Sequence, residues 1–346
     1  MNNLNHGGTN LPNFIDFSIS VNPFSPKFLK NVYKNIVNFD KKYNYIEWIE
    51  EDFKKIFGKN SSIVAGATEA FYIIGWTIME NSTVLIPQPN YSEYEKIAKF
   101  KANKLYKVNY FIDDKINFEI VLKEIKKLRK NEKSKIVLIF GNPHNPTGIY
   151  SKLKDFLEEV TKYDIIVIID EAFIDFVKPS KLENNNENNK INYDNLILIR
   201  SFTKILGIPG IRIGYLKTDK FLNIFENFRQ PWAIGSSGFL TLKYLIENFY
   251  EFEKFKINSI NFFNKEKEKF KEFIKVSSDT NYFMIKTKNK TILLNDLYKN
   301  SIFVRDLGNL GLNEWIRIGI KKPNNNNLLK KILIKNKESI FINYEK

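Results

Sequence analysis

The chain of 346 residues has no cysteine and only two histidines, His6 and His144. The first absence excludes disulfides and thiolate metal sites and the second a histidine-rich metal centre, so no metal is expected. Any catalysis has to come from other side chains or from an organic cofactor. No run approaches the roughly 20 apolar residues of a membrane-spanning helix, and the N-terminus lacks a basic segment followed by an apolar one. The expectation is a soluble, cytoplasmic protein with no membrane partner. Acidic residues are in deficit, 39 against 54 lysines and arginines, for a formal charge of +15. Many of the lysines alternate with glutamate, as in residues 265–269, which is the pattern of solvated helix faces. Nucleic acid is therefore not expected as a partner, whereas attraction of anionic small molecules is.

Hydrophobic residues make up 43% of the chain, enough for one large core and a smaller lobe. Apolar runs bounded by turn residues at 83–87, 135–140, 165–169, 196–199 and 211–216 read as buried strands. Helical patterns at 68–79, 118–130 and 152–162 lie between them, the alternation of a mostly parallel α/β sheet. Residues 235–275 read as a long amphipathic helical region leading out of that sheet. Strand patterns follow at 282–286, 302–305 and 315–319, with a terminal helix near 327–334. The asparagine-rich stretch 184–189 reads as an exposed loop without a catalytic role.

The chemistry gathers around one lysine. Ser201, Thr203 and Lys204 are followed eight positions later by Arg212, with Gly207, Gly210 and Gly214 between and after them. Such a run offers an amine nucleophile together with hydroxyls, a guanidinium and tight backbone turns for a phosphate. Upstream, Asp170 ends a strand at the sheet's carboxyl edge, where α/β proteins bind ligands. Asn142-Pro143-His144-Asn145-Pro146-Thr147-Gly148 follows another strand, Gly66-Ala67-Thr68-Glu69 opens a helix whose amides can meet an anion, and Tyr91 offers an aromatic face.

In this order the motifs resemble those of the fold-type I pyridoxal-phosphate enzymes. The resemblance implies an α/β fold with a large, mostly parallel sheet domain and a smaller α/β domain. It implies pyridoxal 5'-phosphate as cofactor, with Lys204 as its covalent anchor and Asp170 as partner of its ring nitrogen. Asn145 would reach the phenolic oxygen and also meet the substrate, Tyr91 would stack on the ring, Phe173 would be a further cofactor contact, and Ala67, Thr68, Ser201, Thr203 and Arg212 would hold the phosphate. Such enzymes are homodimers that share active-site residues, and Tyr43 is the candidate to cross between subunits. The domains are expected at residues 1–32, an N-terminal arm joining the small domain, 33–234, the large cofactor domain, and 235–346, the small domain.

A narrower resemblance spans nearly the whole chain. Asn5-His6-Gly7-Gly8, the stretch from Asp16 to Pro26, Asp170-Glu171-Ala172-Phe173 and Gln230-Pro231-Trp232 are similar to the L-threonine-O-3-phosphate decarboxylases of cobalamin biosynthesis. Histidinol-phosphate aminotransferases are the neighbouring family, generally with Tyr where this chain has Phe173. The resemblance implies a phosphorylated amino-acid substrate, decarboxylated to (R)-1-amino-2-propanol O-2-phosphate, with transamination as the alternative. Arg317 would pair with the substrate carboxylate, and Arg305, His6, Gly8 and Asn22 would line the phosphate end.

Overall fold

The computed structural model describes residues 7–41, 43–182 and 193–341. Its centre is a seven-stranded sheet. In chain order the strands are β1 (Ser61–Val64), β2 (Thr83–Gln88), β3 (Lys104–Asn109), β4 (Ile136–Gly141), β5 (Ile166–Asp170), β6 (Leu196–Ser201) and β7 (Gly214–Lys217). In space they run β1-β7-β6-β5-β4-β2-β3, all neighbours parallel except where β7 runs against β1 and β6.

Alternation within each central strand explains why both faces are covered. Val137 and Ile139 of β4 pack into one apolar cluster with Ala70, Phe71 and Ile74 of helix α1 (Gly66–Trp76). Leu138 and Phe140 pack into another with Val121, Ile125 and Leu128 of the helix Phe118–Asn131. A side-chain period of two on a strand sends neighbours to opposite faces, so a sheet with helices on both sides needs unbroken apolar runs.

Two helices, α2 (Ser236–Glu247) and α3 (Phe249–Glu268), stand where one long helical region is expected. The break is Asn248, whose side-chain amide donates to the Tyr244 carbonyl (2.8 Å) and so competes with the helix ladder. After α3, the strands β8 (Tyr282–Lys286), β9 (Arg305–Asp306) and β10 (Trp315–Gly319) form a small antiparallel sheet in the order β8-β10-β9. The segment Ile15–Asp16 pairs with Ile302–Phe303 in a two-stranded sheet of its own, and the Gly319 amide of β10 donates to the Phe17 carbonyl (2.7 Å), which ties the N-terminal arm to the small sheet.

Two strands escape the apolar pattern. The edge strand β3 carries two exposed lysines, Lys104 and Lys107, among half-buried residues, and β1 is four residues long and half serine. The run expected as a strand at 211–216 starts pairing only at Gly214, because Arg212 turns the chain with φ of 56°. Among the described residues no helix is long and apolar enough to cross a membrane.

Candidate active site

The carboxyl edges of β4, β5 and β6 open into a cavity of about 330 Å³, closed on the far side by the arm and the small sheet. Lys204, Asp170, Asn145, Tyr91, Phe173, Ala67, Thr68, Ser201, Thr203, Arg212, Arg305 and Arg317 all line it. Residues from more than 200 positions of chain meet here because each strand end delivers a short loop to the same edge.

Lys204 sits in the one-turn helix Phe202–Ile205 directly after β6. Burial lowers its ammonium to about 8, with Arg317 and Arg212 pushing the same way and Asp170 opposing. An amine in that range is a competent nucleophile near neutral pH. Asp170 is the last residue of β5 and is raised above the usual carboxylate range by burial. It keeps two donors, the Tyr94 hydroxyl (2.7 Å) and the Ala172 amide (2.9 Å), both of which favour the ionised form.

On one side of Lys204 lies an anion cup. Ala67 and Thr68 of the first turn of α1 line the cavity, and Ser201 and Thr203 pair their hydroxyls at 2.8 Å. Arg212 reaches over, its Nη2 donating to Thr68 Oγ1 at 3.3 Å. Gly66 makes room for it: with φ of 74°, a Cβ there would stand 2.7 Å from Arg212 Nη2.

The opposite side carries a second cationic surface. Arg317 donates to Asn145 Oδ1 (2.6 Å) and to the Ser18 carbonyl (3.0 Å), and its plane lies over the Tyr282 ring at 5.0 Å. Its Nε is buried and has no hydrogen-bond partner among the described residues. Arg305 is the register partner of Arg317 on the neighbouring strand, and its Nη2 donates to Asn309 (3.2 Å).

Two expected substrate residues, Asn22 and Gly8, are engaged outside the cavity lining, and Tyr43, expected to cross between subunits, also lies outside it. Asn22 is buried with its amide nitrogen on the Ile205 carbonyl (3.0 Å) and Ser259 Oγ (2.9 Å) and its oxygen accepting from the Phe24 amide, so it pins the arm. Gly8 spends its amide on Ser18 Oγ (2.7 Å), and Gly7 lines the cavity in its place. Tyr43 is exposed and packs on Trp232 at 4.7 Å, outside the cavity of its own chain. His6 lies outside the described residues. His144 is structural: buried between Thr147 Oγ1 and the Pro89 carbonyl, both at 2.8 Å, it is pushed down to about 4 by burial.

The comparisons with known proteins agree with this geometry. The family model "Aminotransferase class I and II" matches residues 57–332. The chain belongs to the class I and II aminotransferase family. Members of that family use pyridoxal phosphate, and the fold is theirs, α/β with a large, mostly parallel sheet. A histidinol-phosphate aminotransferase of Leuconostoc mesenteroides is 28% identical over 291 residues, covering 78% of this chain and 75% of the relative. Among solved structures, the L-threonine-O-3-phosphate decarboxylase of Porphyromonas gingivalis superposes with a TM-score of 0.72 at 22% identity, covering 93% of this chain and 99% of that one. The histidinol-phosphate aminotransferase of Sinorhizobium meliloti, in complex with pyridoxal-5'-phosphate, superposes with a TM-score of 0.77 at 16% identity over 92% of this chain and 89% of that one.

The residues present fit that cofactor. The cradle opened by Gly66 beneath Arg212 suits a phosphate, the depressed Lys204 amine suits an aldehyde, and the Asp170 carboxylate suits a protonated ring nitrogen. Arg317 Nε, buried and without a hydrogen-bond partner among the described residues, has a donor left for a ligand.

Proposed function

We propose that this enzyme decarboxylates L-threonine O-3-phosphate to (R)-1-amino-2-propanol O-2-phosphate. The observation that carries the reading is the pair Arg305 and Arg317, register partners on adjacent strands and both on the cavity wall facing Lys204. Two guanidiniums side by side suit a compact substrate with two anionic groups, a carboxylate and a phosphate. Arg317, whose Nε has no hydrogen-bond partner among the described residues, is the carboxylate receptor, and Arg305 is the phosphate receptor.

Bound pyridoxal phosphate supplies an electron sink for the charge left at the substrate's α-carbon. Asp170, held by Tyr94 and the Ala172 amide, keeps the ring nitrogen protonated. Thr68, Ser201, Thr203, Arg212 and the amide of Ala67 would hold the cofactor phosphate, Asn145 would serve its phenolic oxygen, and Tyr91 and Phe173, which line the same cavity, would flank the ring. Arg317 orients the carboxylate that leaves as CO2, and Lys204 returns a proton to the α-carbon.

The second reading is transamination of histidinol phosphate, supported by the histidinol-phosphate aminotransferase relative. There Arg305 would again take the phosphate, and Arg317 the carboxylate of an amino-acid co-substrate. Incubating the enzyme with L-threonine O-3-phosphate while following CO2 and amine product, beside histidinol phosphate with 2-oxoglutarate, separates the two. Amine formation is expected; its absence together with transamination of histidinol phosphate overturns the decarboxylase.

A homodimer belongs to the same proposal. Tyr43, Trp48 and Trp232 form an exposed aromatic patch that a second copy of the chain would cover, bringing Tyr43 toward the partner's cofactor site. Light scattering showing a fully active monomer would refute it.

A further inference from the structure

The loop that carries Asn145 is gripped from the small lobe at a point away from the cavity. The turn Ser278-Asp279-Thr280, between α3 and β8, lies against Gly148. The Asp279 amide donates to the Gly148 carbonyl (2.8 Å), and the Tyr150 amide donates back to Asp279 Oδ2 (3.0 Å). Gly148 has φ of 79°, and a Cβ there would meet Ser278 Oγ at 2.1 Å and Thr280 Oγ1 at 2.7 Å, so this residue is small because the turn sits on it. The Gly148 amide in turn donates to the His144 carbonyl (2.6 Å), which also accepts from the Tyr282 hydroxyl (3.1 Å).

The turn itself is wrapped around a buried cation. Lys267 of α3 donates to the carbonyls of Ser278 (2.6 Å) and Thr280 (2.7 Å). A buried ammonium on two carbonyls is costly unless both bonds hold, which fixes the turn's shape. Asp279 Oδ1 is additionally paired with the exposed Lys181 at 2.5 Å.

We propose that Asp279 is a positioning residue that sets the distance between the lobes, and so holds Asn145 against Arg317 at the edge of the cofactor site. Asp279 does not line the cavity; it acts through the Gly148–Tyr150 backbone, and Lys267 acts through Asp279's turn. The device serves cofactor placement whichever substrate the enzyme takes, and its test needs no substrate.

Holoprotein loaded with pyridoxal phosphate is compared for visible circular dichroism of the bound cofactor and for its release rate on dilution into a carbonyl trap. D279A is expected to release cofactor about tenfold faster with an altered visible signal, a loss on the scale of one hydrogen bond to a charged group. D279N keeps an oxygen for the Tyr150 amide and is expected within twofold of wild type, and K181A, which breaks only the exposed ion pair, unchanged. K267M, which leaves the Ser278 and Thr280 carbonyls without their donor, is expected to release at least threefold faster, and it carries the test if D279A does not fold. Wild-type release and signal in D279A or in K267M overturn the proposal, as does a D279N variant as impaired as D279A.

Discussion

Asp170 and Arg317 face the same cavity but are held in opposite ways. The Asp170 carboxylate ends a central strand of the large sheet and takes one donor from Ala172, two residues on. Arg317 reaches Asn145 and Ser18, which are 172 and 299 residues away in sequence. The wall around Lys204 is thus built by strand ends and the turns that follow them. The facing wall exists only when the arm, the small sheet and the Asn142–Gly148 loop come together. The first wall is suited to chemistry, where groups must be preorganised, and the second to recognition, where they must close on a ligand.

The largest blow to the first wall is Lys204→Ala. It should abolish covalent retention of the cofactor and lower turnover by more than the roughly 10²–10⁴ that a general acid or base alone contributes. Peptide mapping after borohydride reduction checks it; a pyridoxyl group on another lysine would sink the assignment.

Asp170→Asn should follow, binding cofactor but losing on the order of 10²–10³ in turnover, because an amide does not stabilise a protonated ring nitrogen. Near-wild-type turnover would mean that the sheet edge only shapes the pocket. Tyr94→Phe sharpens the same point: it removes a donor to Asp170, and the carboxyl should rise further above the ordinary range.

Tyr94 also shows where the sequence stops being legible. Lys204, Asp170, Asn145 and Arg212 could be read in advance because each lies beside a strand end, inside a short motif of glycine, proline or hydroxyl residues. Tyr94 sits three positions after Tyr91 on an ordinary helix, and its partner is 76 residues away. A tyrosine there reads as core. On the facing wall, Gly8 and Asn22 were expected at the substrate; only folding shows that Ser18 takes the amide of one and that Ile205 and Ser259 take up the other. The arm's position depends on pairing with residues 302 and 303, which no local pattern encodes.

Arg305→Ala tests the second wall. Charge-assisted hydrogen bonds contribute about 1.5–3 kcal/mol, so phosphorylated ligands should weaken roughly ten- to a hundredfold while bound cofactor keeps its spectrum. Arg317→Ala should weaken L-threonine O-3-phosphate comparably and hardly affect the amine product, which lacks the carboxylate. Calorimetric titration of both ligands decides; equal losses for both would mean that Arg317 shapes the wall and does not read the carboxylate.

The smallest effect is the most discriminating, because Arg317 of the second wall and Asp170 of the first pull the Lys204 proton in opposite directions, while Arg212 of the first wall sides with Arg317. Burial is the main cause of its depression to about 8, Arg317 adds to it, and Asp170 opposes it. Only the neutral amine attacks an aldehyde, and its fraction grows as pH rises through the amine's pKa. The rate at which apoprotein takes up pyridoxal phosphate should therefore climb with pH through a midpoint of about 8, well short of the 10.5 of an unperturbed lysine. Replacing Arg317 by Gln removes a positive neighbour, so the midpoint should move up; replacing Asp170 by Asn removes a negative one, so it should move down. Rapid-mixing absorbance across pH 6–10 measures both, and midpoints that stay together in the two variants would mean that burial alone sets the lysine and that the two walls do not compete over it.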